Sequence, residues 1–158
     1  ILGEVPKGCT VRWIARDQPW WVAPDAQGRF QVPGLRDEPA VLYIVRDETS
    51  DAYCLRENVR PSDGPFEVRF QEGSRISGRV EGWRGGANAP ALQLRRGLLQ
   101  IHVVPVVTGS FLFHAVPPGR YDLVFLHEGR DIEVHPGIEA GRTDVVLAMP
   151  ELEEPTGR

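Results

Sequence analysis

Lysine is nearly absent from this chain. Lys7 is the single lysine, and the other 17 of the 18 basic Lys and Arg residues are arginines. An intramolecular lysine–asparagine isopeptide bond, which crosslinks some β-sandwich domains, needs a lysine on an early strand and an asparagine on the last one. The two segments predicted to be last strands, 66–70 and 143–149, contain no asparagine. We therefore discount such a crosslink.

Long apolar runs and catalytic motifs are also missing. No run of about 18 apolar residues occurs, so no membrane-spanning segment is predicted. The zinc spacings H-x-x-x-H and C-x-x-C, the nucleophile motif G-x-S-x-G and the glycine-rich phosphate loops are absent. His102, His114, His127 and His135 all lie in the second half and are predicted to be solvated surface residues. We therefore predict no catalytic residue, no metal ligand, no cofactor and no enzymatic activity.

Cysteine is scarce as well, and Cys9 and Cys54 both lie in the first half. Two cysteines are enough for one disulfide in an exported protein. Such a bond needs Cα atoms within about 7 Å of each other. The strands next to these residues are not predicted to be adjacent, so two separate thiols are favoured.

What the chain does contain is an internal repeat with a period of about 75 residues. The segment 1–5 returns as 76–80, and the segment 28–32 returns as 109–113. Apolar positions stay in register through nearly the whole chain, while insertions and deletions fall in loops such as 81–91. A chance match would not keep that register.

The repeat predicts two domains, at 1–73 and 74–150, followed by a tail or linker at 151–158. The joint at 71–75 is short, so we expect the domains to sit end to end with limited hinge freedom. Because the first predicted strand starts at residue 1, we expect the chain to be cut from a longer polypeptide.

Alternation of apolar and polar residues with a period of two dominates both halves. Turns rich in proline and glycine recur about every 8–12 residues and leave no room for a long helix. The pattern predicts an all-β fold of two tandem seven-stranded antiparallel Greek-key β-sandwiches, each sheet with one face in water. The predicted strands are 1–5, 10–16, 19–23, 28–33, 40–46, 53–59, 65–70, 75–81, 91–96, 99–105, 109–116, 120–127, 131–135 and 143–149.

Three motifs lie in order along the second half. They are a G-x-V opening at 76–80, a G-x-F-x-F strand at 109–113 and a P-P-G-x-Y-x-L corner at 117–123. With these motifs the second half resembles the carboxypeptidase regulatory-like domain, a transthyretin-like β-sandwich that shares its architecture with starch-binding folds. The first half keeps the opening and the strand but has lost the corner, at 36–40, so its membership rests on the repeat.

The resemblance implies a non-catalytic accessory module, often found in tandem within larger secreted or surface-associated bacterial proteins. It therefore implies an extracytoplasmic location, with other domains of the parent protein or a separate protein as partners. The net charge of −4 argues against a nucleic-acid partner, which would call for a basic stripe. The resemblance implies no defined ligand, because this fold hosts many functions.

The tryptophans are the remaining lead to a binding site. Trp13 and Trp20 align with apolar positions of the second half and are predicted to lie in the core. Trp21 is predicted to face outward, and Trp83 lies in the inserted glycine loop. Exposed tryptophans stack on sugar rings or anchor protein contacts. The opposing interpretation is that Arg12 or the neighbouring domain covers Trp21 and that Trp83 plugs its own loop.

Ile14 is predicted to face outward beside Trp21, which indicates an apolar patch and an interface. The candidate binding residues are therefore Trp21, Trp83, Ile14 and Arg12.

The leading hypothesis is a module that spaces, supports or docks other domains, and burial of Ile14 and Trp21 against protein would favour it. The alternative is a carbohydrate-binding module, which a coplanar pair of exposed aromatics in a groove would favour. A third hypothesis, an enzyme site at the joint, requires a pocket with two histidines and a carboxylate.

Overall fold

The computed structural model describes residues 2–16, 18–47, 49–86, 89–103 and 108–152. These residues contain fourteen β-strands, one 3-10 turn at Pro61–Asp63 and no α-helix, which confirms the predicted all-β fold. No helix of the described residues is long and apolar enough to cross a membrane. The strands are β1 (Leu2–Glu4), β2 (Thr10–Ala15), β3 (Gln18–Val22), β4 (Arg29–Gln31), β5 (Ala40–Val45), β6 (Ala52–Val59), β7 (Gln71–Glu72), β8 (Ser74–Glu81), β9 (Ala91–Arg96), β10 (Leu99–Val103), β11 (Ser110–Val116), β12 (Arg120–His127), β13 (Arg130–Glu139) and β14 (Val145–Ala148).

The strands form four sheets, two from each half. The first half makes a five-stranded sheet in the order β3-β2-β5-β6-β7 and a two-stranded sheet of β1 and β4. The second half makes a four-stranded sheet, β10-β9-β12-β13, and a three-stranded sheet, β11-β8-β14. Between the described strands every pairing is antiparallel except that of β14 with β8, which is parallel. The prediction of purely antiparallel sheets is wrong there, because the chain crosses from one sheet to the other between β13 and β14.

Two predicted segments differ from the structure. Segment 65–70 forms only an isolated bridge at Phe66, and the strand lies at Gln71–Glu72 instead. Phe66, Val68 and Phe70 are partly buried, so their alternation records burial and not sheet pairing.

The predicted turn at Pro136 and Gly137 lies inside β13. This strand is at the edge of its sheet, where proline is tolerated. The register between β12 and β13 shifts beside these residues, which is a β-bulge, and Gly137 supplies a φ of 76°.

The repeated sequence makes the same backbone pairing in both halves. Gly3 of β1 lies opposite Phe30 of β4, and Gly78 of β8 lies opposite Phe111 of β11. These four residues occupy equivalent positions of the repeat, so the same motif produces the same pair of strands twice.

Gly28 and Gly109 precede those phenylalanines and explain why the motif starts with glycine. Their φ angles are 81° and 80°. The N–H of Val5 donates to the carbonyl of Gly28 at 2.7 Å, and that of Val80 donates to Gly109 at 2.9 Å. A Cβ would lie 1.9 Å from the Val5 oxygen at Gly28 and 2.6 Å from the Val80 oxygen at Gly109. Both the backbone conformation and the close approach therefore require glycine.

The P-P-G-x-Y corner of the second half is held by the hydroxyl of Tyr121. This hydroxyl donates to the carbonyl of Pro117 at 2.7 Å, and burial raises the pKa of Tyr121 to about 12. The guanidinium of Arg96 lies 5.2 Å from the centre of the Tyr121 ring and donates to the carbonyl of Pro118 at 2.5 Å. Gly119 has a φ of 141°, a backbone conformation that favours glycine, and a Cβ there would also displace this guanidinium, which would lie 2.6 Å from it.

Two apolar clusters stabilise the molecule, and the second one draws on both halves. The first core belongs to the first half and consists of Val5, Cys9, Val11, Trp13, Phe30, Val32, Ala40, Leu42, Ile44, Cys54 and Val59. The shared core joins Ile14, Val41, Tyr43, Val45 and Tyr53 of the first half to Ile76, Val80, Leu92, Leu94, Leu99, Ile101, Phe111, Phe113, Ala115, Val116, Tyr121, Leu123, Phe125, Val145 and Leu147 of the second. Much of one sheet face of the first half therefore packs against the second half, so the halves do not meet only end to end as expected.

Cys9 and Cys54 are buried free thiols. Cys54 lies in β6 and Cys9 directly precedes β2, and these two strands flank β5 from opposite sides. Two strand spacings, about 9–10 Å, therefore separate them, which exceeds the reach of a disulfide. Burial raises the pKa of the Cys9 thiol.

We predict that Gly28→Ala lowers the free energy of unfolding by more than about 2 kcal/mol, because the new methyl group meets a main-chain carbonyl. Gly129→Ala is the matched control, since its φ is 75° and a Cβ there meets nothing within 4 Å. The control should lose only about 1 kcal/mol, the cost of the left-handed conformation alone. Urea unfolding monitored by tryptophan fluorescence measures both, and equal losses would contradict the close approach at Val5.

Candidate functional site

The joint between the halves starts with β5, which is buried on both faces of its sheet. Leu42 and Ile44 point into the first core, whereas Val41, Tyr43 and Val45 belong to the shared core. An antiparallel sheet can leave one face in water, as the alternation predicts. Here the second half covers that face instead.

Ile14 lies on the same covered face. Its side chain points away from the first core, as the alternation predicts, and it is 0% exposed because it belongs to the shared core. The structure therefore places this candidate binding residue in the contact between the two halves.

A hydrogen bond from Tyr43 crosses the joint. Its hydroxyl donates to the main-chain carbonyl of Ala115 at 2.8 Å. Ala115 has a φ of 54°, and the register of β11 against β8 shifts between Phe113 and Val116. Such a bulge leaves a residue unpaired in the ladder, which makes its carbonyl available to Tyr43. Burial raises the pKa of Tyr43, so the hydroxyl keeps its proton as a donor.

Asp51, directly before β6, collects the polar contacts of the joint. Nε of Arg75 donates to its two carboxylate oxygens at 2.7 and 3.0 Å, and Nδ1 of His114 lies 3.3 Å from Oδ1. Burial opposes the charge on Asp51, but hydrogen bonds from Arg75, His114 and the Ala115 N–H outweigh it and hold the pKa of Asp51 below its ordinary value. One carboxylate of the first half thus binds two side chains of the second.

The connecting segment is not a free linker. The N–H of Gly73 donates to the main-chain carbonyl of Asp51 at 2.8 Å. Gln71–Glu72 pairs with β6, and Ser74 already begins β8. A Cβ on Gly73 would lie 2.8 Å from the carbonyl carbon of Ala115, so the main chains of the two halves approach each other closely at a residue without a side chain.

A cleft of about 360 Å³ opens at the rim of the joint. Arg12 and Trp21 line it from the first half, and Leu112 and His114 line it from the second. The guanidinium carbon of Arg12 lies 4.1 Å from the centre of the Trp21 ring, which is a cation–π contact. Trp21 nevertheless remains 54% exposed. Arg12 and Trp21 are thus brought together, and they lie at the edge of the face that buries Ile14.

Trp83, the other candidate from the sequence, is partly buried and packs against the shared core. A Cβ on Gly109 would lie 2.8 Å from the Cβ of Trp83, so this side chain lies directly over the turn before β11. Its Nε1 is shielded from solvent and has no hydrogen-bond partner among the described residues. Trp83 therefore is not an exposed aromatic platform.

Trp20 contradicts its predicted core position, because it is 46% exposed. In the second half the equivalent residue, Ile101, is only 5% exposed, since its strand β10 lies beside β11. β3 is an edge strand, and β4 does not lie close beside it as β11 lies beside β10. Trp20 and Trp21 are consecutive in β3 and point to opposite faces, so they do not form a coplanar pair.

The histidines are not gathered into a site. The ring of His135 packs edge-on against Phe125 at 6.0 Å, and its Nε2 lies 2.8 Å from Oε1 of Glu133. The side chain of His102 lies outside the described residues. Within the described part of the chain, no three His, Cys, Asp or Glu residues are close enough together to hold a metal ion. The joint cleft holds one described histidine, His114, with Asp47.

Sequence reasoning missed Tyr43, Asp51 and Arg75. For Tyr43 a signal existed, because the unbroken apolar run 41–45 is typical of a strand buried on both faces. For the ion pair of Asp51 with Arg75 there was none, since acidic and basic residues this far apart form no local pattern.

We predict that Asp51→Asn lowers the free energy of unfolding at pH 7 by about 1–3 kcal/mol, because it removes charge-assisted hydrogen bonds across the joint. The folded pKa of Asp51 is depressed, so its contribution is present above the unfolded pKa of about 3.9 and disappears as pH falls through the folded pKa. The difference between the two proteins should therefore shrink below about pH 4.

Urea unfolding at a series of pH values measures this difference. Asp144→Asn is the control, because Asp144 pairs with Arg142 at 2.8 Å on the exposed surface and its loss should leave the free energy unchanged within error. A pH-independent difference for Asp51→Asn would show that its carboxylate charge does not stabilise the joint.

Comparison with known proteins adds little to this description. No family model matches the sequence, and no curated protein matches it. Among solved structures the chain is similar to the TIE protein of Bacillus anthracis, with 12% sequence identity and a TM-score of 0.32. The match covers 92% of this chain and 31% of that chain, so this chain spans about a third of that protein.

Proposed function

We propose that this chain is a non-catalytic accessory module that spaces, supports or docks the other domains of a larger protein. The observation that carries the proposal is the covered sheet face at the joint. Ile14, Tyr43 and Tyr53 of the first half are each no more than 4% exposed there, against the second half. Two domains locked together by a shared core form one stiff unit, which suits a spacer better than a flexible tether.

We further propose that both halves are transthyretin-like Greek-key sandwiches related to the carboxypeptidase regulatory-like domain, with boundaries at 1–73 and 74–150. Support comes from the equivalent pairs of Gly3 with Phe30 and Gly78 with Phe111. The corner held by the hydroxyl of Tyr121 is a further match to the motif of that family.

The same proposal includes the cellular location of the module and its binding partners. An extracytoplasmic location follows from the family resemblance, and the partners are other domains of the parent protein or a separate protein. The net charge of −4 supports the exclusion of nucleic acid.

Single-molecule energy transfer tests the spacer role. With fluorescent proteins fused to both ends, we expect one narrow distance distribution, whereas a glycine–serine linker with the same number of residues should give a broad one. The double variant Tyr43→Phe, Asp51→Asn should broaden the distribution, because it removes the hydrogen bond to Ala115 and the charge of Asp51 and leaves only the ion pair of Arg96 with Glu57, at 3.3 Å, among the described side-chain links across the joint. A broad distribution for the unmodified chain would exclude a rigid spacer.

Carbohydrate binding is the second candidate function, and the half-exposed indoles of Trp20 and Trp21 favour it. A glycan array tests it directly. We expect signals that Trp20→Ala or Trp21→Ala reduces, whereas Trp83→Ala should change folding stability instead, since Trp83 packs against the shared core. A flat response across the array would eliminate this candidate and leave the spacer role untouched.

A further inference from the structure

A second cleft, of about 410 Å³, lies beside Trp20 at the edge of the first core. Its walls come from β2, from β3 and from the loop that follows β4. The lining residues include Trp13, Trp20, Arg16, Arg36 and Glu38. The volume falls within the range of about 300–1,000 Å³ that is typical of small-ligand sites.

The indole of Trp20 leaves apolar surface in this cleft without cover. At the equivalent position of the second half, Ile101 is 5% exposed, whereas Trp20 is 46% exposed. The repeat therefore marks this position as one that is normally covered. No described strand covers it in the first half, and a bound ligand would take that place.

The floor of the cleft is aromatic and well packed. Trp13 is 1% exposed, and its ring centre lies 6.4 Å from that of Phe66. Trp13 and Trp20 lie opposite each other on neighbouring strands, so the exposed indole rests on a fixed base. The face of an indole carries negative charge density. It therefore attracts the C–H groups on the flat side of a pyranose ring, which carry partial positive charge.

The polar rim supplies both donors and acceptors. Nε of Arg16 lies 3.2 Å from Oε2 of Glu38, which orients both groups. Arg36 is exposed and forms neither an ion pair nor a side-chain hydrogen bond with any other described residue. A Cβ on Gly34 would meet nothing within 4 Å, so the space beside these groups is open.

From this arrangement we propose that the cleft binds a carboxylate-bearing pyranose, such as a hexuronate unit of an acidic polysaccharide. Trp20 stacks on the ring, Arg36 pairs with the carboxylate through its fork of N–H donors, and Arg16 with Glu38 binds the ring hydroxyls. An acidic peptide fits less well, because it has no flat C–H face of a pyranose ring to stack on the indole of Trp20. The proposal rests on carbohydrate binding, the second candidate function, and adds its site and ligand class.

Isothermal titration with trigalacturonic acid tests the proposal, with maltotriose and triglutamate as comparison ligands. We expect trigalacturonic acid to bind at least about tenfold more tightly than either one at low ionic strength. The preference should weaken as salt is raised from about 50 to about 300 mM, because salt screens the pairing with Arg36.

Four variants locate the site. Trp20→Ala should abolish binding, and Arg36→Gln should remove the preference for the acidic sugar while weak binding to maltotriose persists. Val146→Ala is the control, since Val146 is 51% exposed on β14 and does not line the cleft, and it should bind trigalacturonic acid as the unmodified chain does. Trp20→Phe tests the stacking surface in case Trp20→Ala fails to fold.

The outcomes separate this proposal from the function on which it rests. Equal binding of maltotriose and trigalacturonic acid would overturn the carboxylate preference and leave carbohydrate binding standing. Equal binding of triglutamate would show that the cleft recognises charge alone. Binding that survives Trp20→Phe and Arg36→Gln unchanged would place the ligand elsewhere. A glycan array with no signal, together with no titration heat, would remove the second candidate function as well.

Discussion

The covering of one sheet face by the second half is the constraint on which the rest of this structure depends. β5 is buried on both sides because Leu42 and Ile44 face one core while Tyr43 and Val45 face the other. Apolar burial has no preferred direction, so it holds the halves together without fixing the angle between them. The polar contacts fix that angle. The bond from Tyr43 to the carbonyl of Ala115 has one geometry that satisfies both groups in a place shielded from water.

The two copies of the repeat use the same face of their sheets in opposite ways. In the second half Gln93 and Arg95 occupy the positions that Arg12 and Ile14 hold in the first. Arg95 is bound to the carboxylate of Asp131 through two hydrogen bonds of 2.6 Å. Ile14 therefore packs in the shared core, whereas the equivalent Arg95 belongs to a polar network with Asp131 and with Gln93, which is 2% exposed.

A similar divergence created the cleft at Trp20. In the second half, β10 and β11 lie side by side and bury Ile101. In the first half the matching strands are farther apart, and the position of Ile101 is taken by a larger residue that stays half exposed. The wider separation of β3 from β4 therefore leaves a position that is buried in the second half as a surface with binding potential in the first. The polar groups around it, Arg16, Arg36 and Glu38, come from loops, which tolerate change more easily than strands do.

Local patterns were sufficient to predict the two-fold repeat and most of the strands and turns, though not the irregular segment 65–70 or the course of β13 through Pro136 and Gly137. Alternation marks which residues share a face, and Gly28 and Gly109 mark positions where a side chain has no room, so both features can be read along the chain. What covers each face cannot be read in this way. The alternation correctly turned Ile14 away from the first core, but whether water or protein lay beyond it depended on residues more than sixty positions away. The burial of Ile14, the exposure of Trp20 and the parallel pairing of β14 all follow from such distant contacts, because each depends on which strand ends up next to which and not on the residues along one strand.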